Sequence, residues 1–487
     1  MLQFPALSHL NLSGLILRLL LGSIILLLIP DSRIQLIRSI GPRTFLITFL
    51  YSPFFWIEFD NSTAKFQFVE SIRWPPYSNI NLYIGIDGIF LSSAVLTTFL
   101  IPIRISVGWS SIKSYKKEYM IAFLIRESLM IAVSRMSDFL LFHVFFESVS
   151  ISMFRQRKIQ AAYQSFLYTL SGFVFMLLAI SSISFQTGTT DLRILLTTES
   201  SEWRQVLLRI AFFASFAVKV PMVPVHIRLP EAYVEAPTAG SVISAGILSK
   251  LGTYGSLRFS ILMFPEVTFF FISFICTLSV IAIIYTPLTT VRQIDLKKMI
   301  AYFSVAHMNF VTIGMFSLNI QGIEGSISPM LSHGLVLLAP PLCVGALYDR
   351  HKTRLVKYYG GLVSTMSIFC TISLFFTLAN MSLLGSSSFI GEFLILIGAF
   401  ERNSLVATPA ALGMILGAAY FLWLYNCVVF GNFKPNFLKK FSDLNRREVF
   451  ISLLFIVGVI WMGVYLEVFL ECMYTCVSNL VQHGKFD

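Results

Sequence analysis

Six ionisable side chains stand near the middle of long apolar stretches of this sequence, where they could exchange protons. They are Glu147, Lys219, Lys250, His307, His333 and Glu392. A charge at the centre of a membrane costs about 2.5–3.5 kcal/mol on insertion scales, so a charged residue retained there is a functional candidate. Two carboxylates, two amines and two imidazoles therefore predict a polar line for protons. The alternative is that a lone histidine only packs. Lys297 and Lys298, at the start of a stretch, are expected to extend to the surface.

The composition indicates which elements must position these groups. The chain has 487 residues, of which 56% are hydrophobic and 13% are charged, whereas a soluble domain carries about 25% charged residues. Apolar runs of about 20 residues, long enough to cross a ~30 Å hydrocarbon core, recur along the chain. We therefore expect an all-α polytopic membrane protein with about 14 transmembrane helices. The predicted spans are 12–30, 44–58, 82–104, 119–135, 139–154, 161–185, 205–226, 234–258, 264–286, 297–317, 323–348, 361–400 (interrupted), 406–430 and 449–470.

The distribution of lysine and arginine supports this count. If alternate loops face opposite sides, one set of loops carries 20 Lys and Arg residues, and the other set with both termini carries 6. Basic residues collect in short loops on the side where the chain is synthesised, so the bias predicts that both termini lie on the opposite side. The net charge of +11 is then a topology signal, because a nucleic-acid-binding protein would present a basic face on a soluble domain.

Two predicted spans contain breaks in the helix close to candidate residues. In FAVKVPMVPVHIRLPEAYVEAPTAG (216–240), Pro221 and Pro224 follow Lys219 and cannot donate to the carbonyls four residues earlier. In MSLLGSSSFIGEF (381–393), Gly385 and three serines precede Glu392. A broken backbone inside a membrane requires protein or a hydrated cavity around it. We expect a polar pocket at Lys219 in which the freed carbonyls stabilise the ammonium group, although both breaks could be incidental kinks.

Interrupted spans at matching places in two halves indicate an inverted repeat. The predicted division is 1–118 (helices 1–3), 119–258 (first repeat, helices 4–8), 259–430 (second repeat, helices 9–13) and 431–487 (loop, helix 14 and tail). This pairing places Lys219 of the first repeat opposite Glu392 of the second.

Several of these segments carry a resemblance to a known family. The stretch 216–255, IDLKKMIAYFSVAHMN, MLSHGLV and SSFIGEFLIL together resemble NADH dehydrogenase subunit 4, an antiporter-like membrane subunit of respiratory complex I. The closing third is similar to the plant mitochondrial form. The resemblance runs essentially end to end. It implies a fourteen-helix fold with helices seven and twelve broken, and proton translocation coupled to quinone reduction elsewhere in the complex.

The resemblance also implies roles, partners and a location. The family's glutamate of helix five falls on Glu147 and its lysine of broken helix seven on Lys219. Its helix-eight lysine falls on Lys250, its central histidines on His307 and His333, and its helix-twelve glutamate on Glu392. NAD, FMN, iron–sulfur clusters and ubiquinone are implied only in partner subunits, among which are neighbouring antiporter-like subunits. Lipids are further partners. The implied location is the mitochondrial inner membrane, with the basic loops facing the matrix.

The residues themselves indicate no redox centre or metal site in this chain. The six cysteines form no CxxC pair, and there is no GxGxxG after a strand, so neither a disulfide framework nor a zinc site is expected. Three rival functions stay open at this point: a stand-alone cation/proton antiporter component, a b-type haem protein with His307 and His333 as ligands, and a passive scaffold.

Some positions depart from the family pattern. Arg228 and Tyr233 stand where the family has Trp and His, and Leu384 stands where it has Pro. Ser244 and Ser249 replace leucines. Each exchange corresponds to one C/T change in a codon, which suggests a gene whose transcript is edited. The segment MFRQRKIQ (153–160) is about eight residues shorter than in the family, between Phe154 and Arg155.

The expected mechanism depends on how the surroundings change the proton affinity of an amine. Burial lowers the pKa of a lysine, and a nearby carboxylate raises it again. Lys219 is then the switchable carrier and Glu147 the acid that controls it. Lys250 and the histidines form the lateral relay, and Glu392 is the exit or transfer site.

Overall fold

The structure is a computed structural model, and almost all of the chain that it describes is helical. It describes residues 12–73, 81–111, 116–151, 159–198, 201–235, 240, 244–432, 434 and 442–484. The elements of the first part are α1 (Leu12–Leu28), α2 (Ile34–Ile57), β1 (Gln67–Arg73), β2 (Asn81–Ile86), α3 (Gly88–Ser111), α4 (Lys116–Val133), α5 (Phe139–Ile151), α6 (Ile159–Thr187), α7 (Leu192–Leu195), α8 (Glu202–Lys219) and α9 (Arg228–Glu235).

The remaining helices follow after residue 244. They are α10 (Ser249–Gly255), flanked by the π-helical turns Ser244–Leu248 and Ser256–Ile261, then α11 (Pro265–Arg292), α12 (Leu296–Phe316), α13 (Ile320–Val336), α14 (Ala339–His351), α15 (Ser367–Asn380), α16 (Ser387–Arg402), α17 (Ser404–Tyr425), α18 (Arg446–Val464) and α19 (Glu467–Gly484).

Within the described residues, seven segments are long and apolar enough to cross a membrane. They are Gly88–Gly108, Phe166–Thr187, Pro265–Arg292, Leu296–Phe316, Ile320–His351, Ser404–Phe430 and Arg446–Val464. Three shorter apolar helices, Leu12–Leu28, Phe139–Val149 and Ser367–Asn380, lie among them. The chain is therefore a multi-pass helical membrane protein, as the composition predicts. The count of fourteen spans and the inverted repeat stay predictions.

The chain divides into two compact units. The first consists of Met1–Arg155 and Phe173–Phe212, and the second of Gln156–Gly172 and Phe213–Asp487. The first unit contains an antiparallel hairpin, β1 with β2, in which Glu70 is paired with Ile84. The predicted spans do not include this hairpin: β1 falls in the predicted loop 59–81, and β2 takes the first residues of the predicted span 82–104, whose helix begins at Gly88. Glu70 accepts hydrogen bonds from the backbone N–H groups of Leu12 and Ser13. Its carboxylate therefore caps the start of α1, where these N–H groups have no partner within the helix.

In the second unit, α12 is the central helix. Nine-tenths of its length is buried, and it packs against α11, α13, α16 and α17. Helices α13 and α16 lie especially close together, because a Cβ atom added to Gly325 would come 2.7 Å from the backbone nitrogen of Ile395. The two glycine-containing faces thus bring the backbones of α13 and α16 into contact.

The predicted interruption after Lys219 is present, with one difference. Helix α8 ends at Lys219, and the chain turns before it resumes as α9. The carbonyl of Ala217, expected to be free for an ammonium group, accepts a hydrogen bond from Met222 N at 3.1 Å. That detail of the prediction is wrong, because the turn lets a residue beyond Pro221 supply the missing donor.

The predicted interruption before Glu392 is also present. Helix α15 ends at Asn380 and α16 begins at Ser387. The connecting turn has two residues in the left-handed region, Ser382 with φ +58° and Gly385 with φ +86°. Glycine suits that region because it has no Cβ atom. The turn therefore does not need the proline that the family carries at the position of Leu384.

Two helices at the ends of predicted spans differ from expectation. The span predicted over 323–348 lies within one apolar segment, Ile320–His351, but a short turn divides it into two helices, since α13 ends at Val336 and α14 begins at Ala339. Pro340 and Pro341 lack the N–H groups that would continue the helix, and they stand instead in the first turn of α14. The tail after residue 470, predicted as extramembrane, belongs to the helix α19.

Four of the loops predicted to share the basic side lie together in the second unit. Leu296 N donates to Arg354 O at 3.0 Å, and Val356 N donates to Ile294 O at 3.0 Å. The guanidinium of Arg354 reaches Val234 O, and Lys434 Nζ donates to Lys357 O. These contacts bring the loops 227–233, 287–296 and 349–360 and the described residues of 431–448 to one side of the unit, as alternation along the predicted spans requires.

Candidate proton-transfer site

Four of the six candidate residues lie in a row inside the second unit. Lys250 is on α10, His307 on α12, His333 on α13 and Glu392 on α16. Lys250, His333 and Glu392 are buried, and His307 is partly buried. Because these side chains are surrounded largely by apolar helix faces, their polar atoms need hydrogen-bond partners inside the protein. The row therefore joins four different helices through polar side chains.

Lys250 and His333 form one end of the row. Lys250 Nζ lies 2.9 Å from His333 Nδ1, the distance of a hydrogen bond. Either an N–H of the lysine donates to the imidazole nitrogen or the imidazole N–H donates to a neutral amine, because one of the two groups must supply a lone pair. Two bases that share a hydrogen bond can exchange one proton. His333 Nε2 has no hydrogen-bond partner within the described part of the chain.

His307 and Glu392 form the other end. His307 Nδ1 lies 3.1 Å from Glu392 Oε1. The contact is a close approach of two ionisable groups and not an aligned hydrogen bond, since Oε1 has no such partner among the described residues. The other carboxylate oxygen, Oε2, accepts a hydrogen bond from Ser382 Oγ. The rings of His307 and His333 are 5.7 Å apart between centroids, so the two pairs are neighbours.

A small cavity with a largely apolar lining lies beside His307 and Glu392. Its volume is about 30 Å³, and Asn380 and Ser382 also line it. A cavity holds a water molecule when it offers at least about 10–15 Å³ and two or more polar partners. This one meets both conditions. It could therefore supply a water-mediated path to the carboxylate.

Lys219 lies at the C-terminal end of α8 and is buried. The carbonyl groups at the end of a helix favour a positive charge, which explains a lysine at this place. The guanidinium of Arg228 donates to Val218 O at 3.1 Å and neutralises the same helix end. Helix α10 packs against it, because a Cβ atom added to Gly252 would lie 2.9 Å from the Cβ atom of Lys219. Lys219 is thus close in space to the helix that carries Lys250.

The other predicted residues have different outcomes. Glu147 is buried on α5, in the first unit, so its proposed control of Lys219 stays a prediction. Lys297, expected to extend to the surface, is 1% exposed at the start of α12, and that prediction is wrong because loop 349–360 packs over this end of the helix. The shortened segment between Phe154 and Arg155 lies outside the described residues.

Two polar residues that support the site were not predicted from the sequence. Asn309, two residues after His307, donates to the carbonyl of Pro221 at 3.2 Å and so ties α12 to the turn after Lys219. Ser382 reaches Glu392 across the turn between α15 and α16. Both were present in segments already singled out, but a hydrogen bond between residues ten or more positions apart leaves no periodic pattern.

The chain is similar to proteins of one family throughout its length. Residues 136–417, which include all six candidate residues, match the family model described as NADH:quinone oxidoreductase/Mrp antiporter, transmembrane. NADH-ubiquinone oxidoreductase chain 4 of Marchantia polymorpha is 77% identical, and that of Arabidopsis thaliana is 74% identical, in each case over 100% of both chains.

Solved structures show the same fold. A chain of respiratory complex I from Thermus thermophilus superposes with a TM-score of 0.86 at 24% identity, covering 98% of this chain and 100% of that one. A chain of the Mrp complex from Dietzia superposes with a TM-score of 0.86 at 16% identity, covering 97% and 99%. The identity and coverage of the curated relatives, together with the family model, decide the assignment: this chain belongs to the NADH:quinone oxidoreductase/Mrp antiporter family, among the NADH-ubiquinone oxidoreductase chain 4 proteins.

Proposed function

We propose that this chain moves protons across the mitochondrial inner membrane as a subunit of NADH:ubiquinone oxidoreductase. Its full-length relatives carry the name of that enzyme. In this proposal NAD, FMN, iron–sulfur clusters and ubiquinone belong to partner subunits, and this chain contributes only proton transfer. Quinone reduction elsewhere in the complex supplies the energy. Neighbouring antiporter-like subunits and lipids surround the chain.

The observation that carries the proposal is the buried row from Lys250 through His333 and His307 to Glu392. An amine, two imidazoles and a carboxylate can each bind or release a proton. The 2.9 Å contact of Lys250 with His333 and the 3.1 Å contact of His307 with Glu392 allow transfer within each pair. Between the two histidine rings the proton crosses a short gap, which one water molecule or a ring movement bridges.

In this proposal Lys219 supplies protons to the row, and Glu392 releases them from it. The carboxylate of Glu147 controls how tightly Lys219 holds its proton. Moving one charge against 100 mV costs about 2.3 kcal/mol, and a tenfold change in proton affinity is worth about 1.36 kcal/mol. A change in the affinity of the lysine of roughly a hundredfold to a thousandfold therefore covers the work of moving one proton.

Arginine at position 250 tests the proposal. The guanidinium of Lys250→Arg keeps a positive charge and donors beside His333, but it does not release its proton in proteins. We expect the complex carrying Lys250→Arg to assemble and to move fewer protons per NADH oxidised, or to turn over slowly because the stalled proton opposes quinone reduction. Lys219→Arg should behave in the same way. Proton uptake and NADH oxidation are measured together in reconstituted vesicles.

The control is Lys434→Arg, an exchange of the same kind at a loop residue that contacts Lys357 O and lies outside the row. It should pump at the native ratio. Native pumping by both Lys250→Arg and Lys219→Arg would contradict the proposal, because a scaffold or a static counter-ion needs only a fixed charge.

A stand-alone cation/proton antiporter component is the second candidate, because the family model covers Mrp antiporters as well. The same row would then serve exchange of a cation for protons without NADH oxidation. Purification of the chain under mild detergent distinguishes the two. Recovery in an assembly that oxidises NADH supports the first function, and recovery in an assembly without that activity supports the second.

A further inference from the structure

Ser382 contacts Glu392 from a turn whose backbone would suit glycine better. Its hydroxyl donates to Glu392 Oε2, and both side chains are buried. The turn itself uses the backbone of Ser382, since Ser382 N donates to Ala379 O at 3.2 Å. Glu392 Oε2 is the acceptor found for the Ser382 hydroxyl in the described part of the chain. The side chain of Ser382 thus serves the carboxylate and not the turn.

The conformation of Ser382 strengthens this interpretation. With φ at +58°, residue 382 lies in the left-handed region, where glycine and asparagine are favoured and other residues are strained. Gly385, three residues later, occupies the same region. A serine retained at such a position indicates that its hydroxyl has a use that offsets the strain.

The two oxygens of Glu392 consequently have separate partners. His307 Nδ1 approaches Oε1, and Ser382 Oγ donates to Oε2. Ser382 therefore orients the carboxyl so that Oε1 faces His307. The cavity of about 30 Å³ that both residues line gives the released proton access to a water molecule.

We propose that Ser382 is a positioning residue for proton exchange at Glu392. The proposal rests on the function proposed above. A proton on His307 Nδ1 passes to Glu392 Oε1, the imidazole becomes neutral and the carboxylate becomes a carboxylic acid. When the acid gives the proton to water in the cavity, the carboxylate with its bond from Ser382 is restored. The hydroxyl keeps its own proton throughout.

Two substitutions at position 382 separate the hydroxyl from the backbone. Ser382→Gly removes the hydroxyl and relieves the left-handed backbone, so any defect comes from the missing donor. Ser382→Asn keeps a donor on a residue that tolerates the same φ value. The control is Ser386→Ala, in the same turn, because Ser386 Oγ donates to Leu383 O and contacts Ser388 without touching Glu392.

In the assembled complex we expect Ser382→Gly to lower proton flux by about tenfold and to change its pH profile, the effect of losing one hydrogen bond to a charged group. Ser382→Asn should recover flux relative to Ser382→Gly, and Ser386→Ala should retain the native flux and profile. NADH oxidation with an uncoupler present is measured alongside, and it should be close to native in Ser386→Ala.

Native flux and a native pH profile in Ser382→Gly would overturn the proposal. So would an equal loss in Ser382→Gly, Ser382→Asn and Ser386→Ala, or failure of both position-382 variants to assemble, since these outcomes indicate a structural turn. Glu392→Gln separates this failure from failure of the proposed function. If Glu392→Gln lowers flux and Ser382→Gly does not, only the role of Ser382 is wrong, and if neither lowers flux, the exit at Glu392 is wrong as well.

Discussion

At the scale of single residues, the burial of Arg104 conflicts with its chemistry. Arg104 is on α3 and is 1% exposed, and its three guanidinium nitrogens have no hydrogen-bond partner within the described residues. A guanidinium stays protonated in proteins, and the buried Glu127 lies near it without a hydrogen bond to it, so the burial of this charge is only partly compensated. Unlike the six candidate residues, a permanently charged group cannot take part in proton exchange. Arg104 therefore needs another explanation.

Transcript editing, suggested by Arg228 and Leu384, offers that explanation and a direct test. Arginine codons CGU and CGC become cysteine codons, and CGG becomes a tryptophan codon, when the first C is changed to U. We expect mass spectrometry of the mature subunit to find Cys or Trp at position 104. The control is Arg350, whose guanidinium bonds Glu448 Oε2 at 2.7 Å and which should be read as Arg. Arginine at position 104 of the mature protein would contradict the prediction.

At the scale of elements, the close approach of α13 and α16 holds the row together, because these helices carry His333 and Glu392. We expect Gly325→Ala to destabilise the complex by about 1–3 kcal/mol, the usual effect of overpacking. The new methyl group would meet the backbone of Ile395 and Leu394 at 2.7–2.9 Å, and a backbone cannot move aside as a side chain can. Thermal disassembly and proton flux should both show the effect.

The matched control is Gly417→Ala on α17. A Cβ atom there would lie 3.4 Å from the ring of Phe303, and alanine is favoured over glycine in a helix by up to about 1 kcal/mol. Gly417→Ala should therefore be neutral or stabilising. Equal effects of the two substitutions would mean that the contact between α13 and α16 is not as tight as the distances indicate.

Helices and their breaks could be predicted where the local sequence determines them. Features that depend on contacts between distant segments could be predicted less well. Apolar runs predicted the helices, and Pro221 and Gly385 predicted the two breaks. The hairpin β1–β2 was missed because β1 stands in a predicted loop and β2 (Asn81–Ile86) is an apolar run at the start of the predicted span 82–104. The row itself could be predicted only as separate residues. Lys250 and His333 are 83 positions apart, so their contact depends on how α10 and α13 pack and not on any local pattern.

At the scale of the whole molecule, the basic loops give the chain a direction in the membrane. Loop 349–360 and the described residues of 431–448 lie on one side of the second unit. Arg350 holds them together, because it also donates to the carbonyls of Ser442 and Asp443. Because Lys and Arg collect on the side of synthesis, we expect these loops to face the matrix and both termini to face the intermembrane space.

Proteolysis of membrane vesicles of known orientation tests this expectation. In inside-out inner-membrane vesicles, trypsin should cleave within 349–360 or 431–448, while an epitope tag placed after Asp487 stays protected. In mitoplasts, with the inner membrane in its native orientation, the tag should be removed and the loops protected. The reverse pattern in both preparations would overturn the orientation while leaving the grouping of the loops intact.

The backbone contact between α13 and α16 also determines which motions can accompany proton transfer, and on what timescale. Helices that touch through glycine cannot slide past each other without losing that contact, so His333 and Glu392 keep a fixed spacing while protons pass. Proton transfer from His333 through His307 to Glu392 then depends on side-chain rotation and on water, which are among the fast motions of proteins. It does not depend on collective helix shifts, which take about μs–ms. A substitution at Ser382 or Glu392 should therefore change proton flux by changing these side-chain steps, and not by changing how the two helices pack.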